Sequence, residues 1–550
     1  LRVLGVTRAG ALRILVVESI AIGVAGAGIG VALGYTLAWL AVGRFGGDLG
    51  AGYFNGVTVQ LRNDPLALVA YFALGVGAAL AGSAVPAWRA ANSAPAPALK
   101  SAAAMETSAG ERPWWPGVAL LAATPPLALL PPAAGLPLGG YAAVAVLLAG
   151  ALWLAPAVAG LVLRPLPSPR NAVALIAFGQ LRGVTSQFHT SVAAIVVSFS
   201  LMAAMLIMIG SFRGSLEQWL RTILPADVYA RAGGGQTGYL DPETVRRIAA
   251  LPGVARSASV RWREVALQPE RVPVTVLARD LDAAQIAALP LLGQPRARNA
   301  SGLPPVWVSE AAVDLYGWTG DSTIDLVLDG RRGRFAVAGV WRDYARQNGA
   351  LLIARSDYIA LTGDERTNDL WLWLAPGASA AALAVAIDAD AGGAGLIDVR
   401  NAAAIRKVSL ALFDRTFAVT YLLEAVAVLI GLFGISVGFS SQALARRAEF
   451  GMLRHIGVTR RQVGAMLGIE GLAAGLIGVL YGLATGGVIS LILIHVINRQ
   501  SFHWSMDLHV PVLPLLVVSV VLILAATGTA VASGRRAMGG QPIAAVKEDW

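Results

Sequence analysis

Two glutamates, Glu18 and Glu470, sit inside apolar runs at matching places in the chain. An acid within a stretch that crosses a membrane is costly enough to imply a task. The chemistry open to this pair is a proton or substrate relay. The blander reading, which we prefer, is a structural pairing with arginine at the cytoplasmic interface, Arg13 in the case of Glu18. Glu424 sits near the outer end of its own apolar run, where water can reach it. Gly434, Ser436 and Gly438 spell G-x-S-x-G. A hydrolase nucleophile needs that motif on a strand-to-helix turn, and here it lies inside an apolar helical run, so it reads as a small-residue packing face. His495, His503, Asp507 and His509 crowd one short loop. They offer metal donors without compact ligand spacing, so the expected metal set is none.

Every lysine (Lys100, Lys407, Lys547) follows a residue other than glycine, so no Gly-Lys pair exists. A P-loop is therefore absent, and ATP hydrolysis by that route is excluded. The chain has no cysteine, which removes disulfides, thiolate metal sites and a cysteine nucleophile. No catalytic constellation remains, and the chain reads as a non-enzyme.

The elements that would carry these residues are membrane helices. The sequence is 56% hydrophobic and 14% charged, against roughly 25% charged residues in ordinary globular chains. The net charge of +10 comes from arginines clustered beside apolar runs, as the positive-inside rule places them. No separate basic domain or aromatic-basic patch accompanies them, so nucleic acid is not an expected partner.

The chain also repeats itself. Adding 452 to each number lays Leu1 on Leu453, Arg2 on Arg454, Gly5 to Arg8 on Gly457 to Arg460, and Glu18 on Glu470. Gly23, Gly26, Gly30 and Gly34 coincide with Gly475, Gly478, Gly482 and Gly486. Such self-similarity points to duplication. Each copy is a basic amphipathic segment entering a glycine-notched apolar helix. Small residues at that spacing let another helix approach closely. Further on, Arg89, Pro95 and Lys100 match Arg536, Pro542 and Lys547 at an offset of 447, so a five-residue length difference falls in the loop between paired spans, where it is best tolerated. The second copy has an apolar helix before its basic segment and the first has none. With no signal peptide in view, the chain reads as a fragment whose N-terminal part lies outside it.

Eight apolar runs could span: 15–42, 66–85, 117–130, 141–163, 192–209, 417–439, 463–496 and 512–532. The third is short, carries Pro125 and Pro126, and is followed at once by Pro131 and Pro132. Between about 211 and 414 charges are interspersed and strand patterns appear, at 272–278, 323–330, 333–341 and 369–375. Asp241-Pro242-Glu243 opens a helix, Ser309-Glu310 opens another, and Asp329-Gly330 is a hairpin turn. With basic segments inside, the topology alternates without a forced step and puts this module outside. The expected fold is a polytopic α-helical membrane protein with an inserted α+β extracytoplasmic domain and internal duplication. Its parts are 1–100, the end of a first unit; 101–188, a linker with two spans; 189–211, the first span of a second unit; 212–413, the outer domain; and 414–550, three spans with a basic segment.

That basic segment carries a resemblance. Arg447, Glu449, Leu453, Arg454, Gly457, Arg460 and Arg461, the glycine-rich helix after them, and the ending Arg535-Arg536-Ala537 with Pro542 resemble the coupling region of FtsX/MacB-type ABC transporter permeases. The runs 251–254, 306–312 and 333–340 resemble that family's periplasmic core domain. The match covers 189–550 as one unit and 1–100 as the end of another. It is similar to the ten-span, two-unit members related to lipoprotein-releasing permeases.

The resemblance implies a bacterial inner-membrane permease working by mechanotransmission. A separate cytoplasmic ATPase dimer would grip the coupling residues Arg2, Gly5, Arg8, Arg447, Glu449, Leu453, Arg454, Gly457, Arg460 and Arg461. ATP and magnesium would sit on that partner and no cofactor on this chain. Gly26, Gly30, Gly34, Gly478, Gly482 and Gly486 would allow the helix packing that passes on the motion. The first copy has Ala9-Gly10 where the second has Arg461-Gln462, which implies weaker docking. Membrane lipid and an extracytoplasmic protein or lipoprotein complete the expected partners, with a lipoprotein, lipid, peptide or hydrophobic compound as cargo. The alternative is an ATPase-driven signalling protein that regulates a cell-wall hydrolase or sensor and transports nothing.

Overall fold

The computed structural model describes residues 7–45, 64–92, 113–133, 135–182, 186–233, 238–267, 271–293, 302–320, 322–390 and 397–538. The chain opens with α1 (Arg8–Phe45) and α2 (Pro65–Asn92), packed on each other. A Cβ at Gly23 would meet Val76 and Ala79 of α2 at 3.0–3.4 Å.

A hairpin follows, α3 (Trp115–Ala128) against α4 (Leu138–Leu163). Here the structure corrects an expectation. Seven described helices are long and apolar enough to cross a membrane, and the run 117–130 is not among them. Its helix has 14 residues, about 21 Å at 1.5 Å per residue, short of the ~30 Å hydrocarbon layer. It runs antiparallel along α4, Gly117 set against Leu154, Gly139 against the Leu127 carbonyl and the Trp153 indole donating to the Pro113 carbonyl at 2.9 Å. The pair thus remains an out-and-back hairpin, and the alternation that puts the sheet outside is kept.

Next come the short α5 (Ala172–Arg182) and the long α6 (Ser186–Ile223). The outer module then alternates β1 (Val228–Ala232), α7 (Pro242–Ala249), β2 (Val254–Val265), β3 (Val274–Arg279), α8 (Ala283–Ala287), β4 (Pro305–Ser309), α9 (Glu310–Tyr316), β5 (Thr323–Leu328), β6 (Arg331–Trp341), β7 (Ala350–Ala354), α10 (Arg355–Thr362), β8 (Asp369–Leu374), α11 (Ala380–Asp390) and β9 (Ile397–Asn401). The strands form one nine-stranded sheet ordered β5-β6-β4-β7-β3-β2-β8-β1-β9. Pairs β3/β7 and β4/β6 are parallel and the rest antiparallel. Asp329 (φ 49°) and Gly330 (φ 77°) make the tight β5–β6 turn with the left-handed pair such a hairpin requires. Asp241 accepts from the Thr244 amide at 2.7 Å and Ser309 from the Ala312 amide at 3.2 Å, capping α7 and α9.

The period-two alternation of the strands sorts side chains to two faces. Val274, Val276, Val306, Val308, Leu351 and Ile353 form one core, and Val228, Ala230, Leu370 and Leu372 a second on the same side. The opposite face presents Leu277, Trp307, Trp341, Tyr229 and Trp371, which pack on Ile223 and Leu224 at the end of α6 and on Ala402 and Ile405.

Those last two residues open α12 (Ala402–Ala445), which starts directly after β9 with Asn401 as its cap. Then come α13 (Arg447–His455), α14 (Arg460–Ile492), a π-helical turn at Leu493–Ile497, α15 (Asn498–Phe502) and α16 (Val512–Ala537). Helices α6 and α12 have 38 and 44 residues, about 57 and 66 Å, roughly twice what a bilayer needs. Both therefore continue beyond the membrane, and the sheet stands on two uninterrupted rods. Positions 211 and 414, expected as domain edges, fall inside these rods.

Candidate coupling site

The cytoplasmic ends of the second-copy helices meet around α13. Its apolar side puts Phe450 and Leu453 against Ala443, Val463, Leu467 and Met538. Its end is set by Gly457, whose φ of 98° is left-handed. The Val458 amide donates to the Leu453 carbonyl at 3.0 Å and the Gly457 amide to Arg454 at 3.2 Å, the paired bonds of a Schellman motif. Thr459 then caps α14, accepting from the Gln462 amide while the Gln462 side chain accepts from the Thr459 amide. In the first copy Thr7 likewise accepts from the Gly10 amide at 3.1 Å, but glycine has no side chain to return the bond. Arg2 and Gly5 lie outside the described residues, and Arg8 is the first residue of α1.

Among the described residues nothing covers the other side of α13. Met452 and Ile456 are 62% and 74% exposed, with Arg460 and Arg461 exposed beside them and Arg447 and Arg454 half-buried. The result is an exposed apolar patch ringed by arginines.

Behind this patch lies a polar network that the sequence did not reveal. Arg446, between α12 and α13, donates through Nη1 to both oxygens of Glu470 at 2.9 and 3.1 Å, and through Nε to Glu449 at 2.9 Å. Gln442 also donates to Glu470, at 3.2 Å. From α5, Gln180 accepts from Arg446 and donates to Glu449. Four helices are thus tied at one guanidinium. Glu470 is 1% exposed; burial of a carboxylate at that depth is tolerable only when it is paired and hydrogen-bonded. Glu18, its counterpart, instead shares an outward groove of α1 with Arg13, Ile14 and Val17.

The glycines locate the helix contacts. A Cβ on Gly478 would lie 2.6 Å from Ile195, on Gly482 3.1 Å from Phe199, and on Gly486 2.6 Å from the Ser200 carbonyl, all on α6. Gly475 instead faces Ile523 and Ala526 of α16, the residues 447 beyond Val76 and Ala79. Gly26, Gly30 and Gly34 have no atom within 4 Å of such a Cβ. Gly431, Gly434 and Gly438 of α12 oppose Ser198, Ala194 and Ser191, so the G-x-S-x-G run packs mid-helix.

At the outer end a second junction joins the sheet to the membrane helices through the loop before α16. Arg342 donates to Asp507 at 2.7 Å and to Ser505 at 3.1 Å. Glu310 accepts from the Ser505 amide and hydroxyl at 3.0 Å, and Tyr344 donates to the Ser505 carbonyl at 2.9 Å. The amides of Asp507 and His509 donate to Ser215 and Ser211 of α6. Burial pushes the Tyr344 phenol up to about 12. Asp507 and His509 thus serve as struts between domains; among the described residues no group of three or more metal donors assembles.

Residues 1–95 and 421–542 match the model of the FtsX-like permease C-terminal family. Across 530 residues the chain is 29% identical to an uncharacterized ABC transporter permease protein, Rv0987, of Mycobacterium tuberculosis, an alignment covering 92% of this chain and 61% of that protein. The chain thus spans about three fifths of that relative's length. The crystal structure of the extracellular domain of the noncanonic ABC-type transporter YknZ from Gram-positive bacteria aligns over 32% of this chain and 100% of that domain, at 12% identity and a TM-score of 0.24.

Proposed function

We propose that the chain is an FtsX-like ABC transporter permease that works by mechanotransmission, with ATP hydrolysis on a separate cytoplasmic subunit. It is a multi-pass plasma-membrane protein whose sheet domain lies on the outer side. An ATPase dimer binding ATP and magnesium docks on Met452 and Ile456 within their ring of arginines. Its closure displaces α13. The displacement enters α12 through Arg446 and enters α14 through Glu470, because one side chain holds both. The observation that carries this reading is α12 itself, a single helix from β9 of the outer sheet to the coupling residues. The glycine-notched contact of α14 on α6 lets the second rod follow. The work is done on a lipoprotein, lipid, peptide or other hydrophobic molecule outside the cytoplasmic leaflet.

Co-purification tests it. A cytoplasmic P-loop ATPase should come down with the full-length protein and be lost on Arg460→Glu/Arg461→Glu, since reversed charges slow association. ATP turnover by the chain purified alone would sink the proposal.

A further inference from the structure

A cleft of about 440 Å³ lies where the outer domain meets α15, lined by Arg271, Val272, Tyr316 and Gln347 on one wall and Ser501, Phe502 and His503 on the other. Its walls combine two chemistries. The Arg271 guanidinium lies 5.0 Å from the centre of the Tyr316 ring and donates to the Leu315 carbonyl. Tyr316 stacks on Trp318 at 4.5 Å, and its hydroxyl donates to the Val272 carbonyl at 2.9 Å. The aromatic platform that carries the cation is therefore fixed. Opposite, Phe502 stacks on Trp504 at 5.6 Å, and Phe502 and Val272 remain about half exposed.

The local charge is positive. Among the described groups here, Arg271 and Arg499 face one carboxylate, Asp314, which lies 3.7 Å from Arg499, with the His503 ring 3.8 Å from its other oxygen. Among the described residues Arg271 has no carboxylate partner, and of its five donors one is given to the Leu315 carbonyl. The depth is fixed as well. Phe502 ends a long span, and α16 re-enters the membrane ten residues later with Val512 and Leu513 exposed. Aromatic rings with cations beside them at the end of a span lie at headgroup level.

We propose that this cleft binds the phosphate headgroup of an outer-leaflet lipid, with Arg271 holding the phosphate and Phe502 and Val272 the first carbons of the chains. A free phosphate would satisfy the guanidinium but not the apolar wall. The site stands apart from the ATPase reading, since lipid can be retained whether or not the chain is driven.

The test is native mass spectrometry of the full chain released from nanodiscs of phosphatidylcholine containing a minority of phosphatidylglycerol. Wild type should retain phosphatidylglycerol preferentially. Arg271→Gln removes charge-assisted bonds and should lower that retention about tenfold, while Arg271→Lys keeps much of it. Gln347→Trp fills the cleft with Arg271 intact and should lower retention too, so the outcome does not hang on one variant folding. Arg334→Gln, which breaks a surface pair with Asp325 elsewhere on the sheet, should change nothing. Undiminished phosphatidylglycerol on both Arg271→Gln and Gln347→Trp would overturn the proposal. So would full displacement of the lipid by inorganic phosphate, which would make the site one for a free anion.

Discussion

Arg446 Nη1 lies 2.9 Å from Glu470 Oε2, with 11% and 2% of the two side chains exposed. Neither partner can be removed alone without stranding a charge, so Arg446→Met should cost about 3–5 kcal/mol. Arg446→Met/Glu470→Leu should regain most of this loss, because the stranded carboxylate is gone. Thermal unfolding of the two variants in detergent checks the pair. Equal melting of Arg446→Met and wild type would show that the bond carries no stability.

The contact of α14 on α6 predicts a contrast between equivalent glycines. Gly486→Ala sets a Cβ 2.6 Å from the Ser200 carbonyl, a backbone atom that cannot rotate away. Overpacking of this kind costs about 1–3 kcal/mol. Gly34→Ala meets nothing within 4 Å and should leave the melting temperature of this chain unchanged or slightly raised. Matching destabilisation by the two would contradict the geometry.

Topology is testable because the chain lacks cysteine. A single cysteine at Asp325, exposed on β5 of the outer sheet, should react with an impermeant maleimide added outside intact cells. Cysteines at Ser441 and Gln462, exposed at the opposite ends of α12 and α14, should react only after permeabilisation. Labelling of all three from one side would defeat the arrangement.

How much of this was legible follows from what each signal depends on. The strands at 323–328 and 369–374 and the caps Asp241 and Ser309 were readable because alternation and capping are local properties. The strand β7 was not, since Ala350–Ile353 is buried throughout and a short apolar run fits helix or strand equally. The run 117–130 looked like a span by composition, and only its helical length shows the shortfall. Glu449 and Glu470 were singled out as separate features. Their common partner Arg446 stood in plain view among the basic residues, but Gln180 lies more than 260 positions away in sequence, and no periodicity encodes such a contact. The loop at 505–509 drew notice for its histidine and aspartate, yet its work is done mostly by backbone amides and serine hydroxyls.

The outer domain should weaken in acid. Burial alone pushes the Asp364 carboxyl up, but bonds from Arg366 at 2.8 Å and Arg261 at 2.9 Å overcome it and hold the group well below the usual carboxylate range. A depressed folded value means the stabilisation is fully present above the unfolded value of about 4 and fades as pH falls through the folded one. Thermal melts of wild type should therefore drop over that acid range more steeply than those of Asp364→Asn. Parallel profiles would remove Asp364 from the account.

The last prediction separates docking from force transfer. Gly457 holds φ at 98° with no atom within 4 Å of a prospective Cβ, so the only penalty on a side chain there is the left-handed backbone. For a β-branched residue that penalty is about 1–2 kcal/mol, and asparagine bears less of it. Gly457→Val should therefore loosen the Schellman turn between α13 and α14, whereas Gly457→Asn keeps it. The docking face of Met452, Ile456 and the flanking arginines survives both changes, so an ATPase partner should still co-purify and keep its basal hydrolysis. What Gly457→Val loses is the rigid turn that carries displacement of α13 into α14. Stimulation of hydrolysis by cargo, and movement of the outer domain on ATP binding, should fall with Gly457→Val and persist with Gly457→Asn. Spin labels on Asp325 and Ser379, both on the outer domain, would report that movement. Full coupling in Gly457→Val would mean that the force enters through α12 and Arg446 alone.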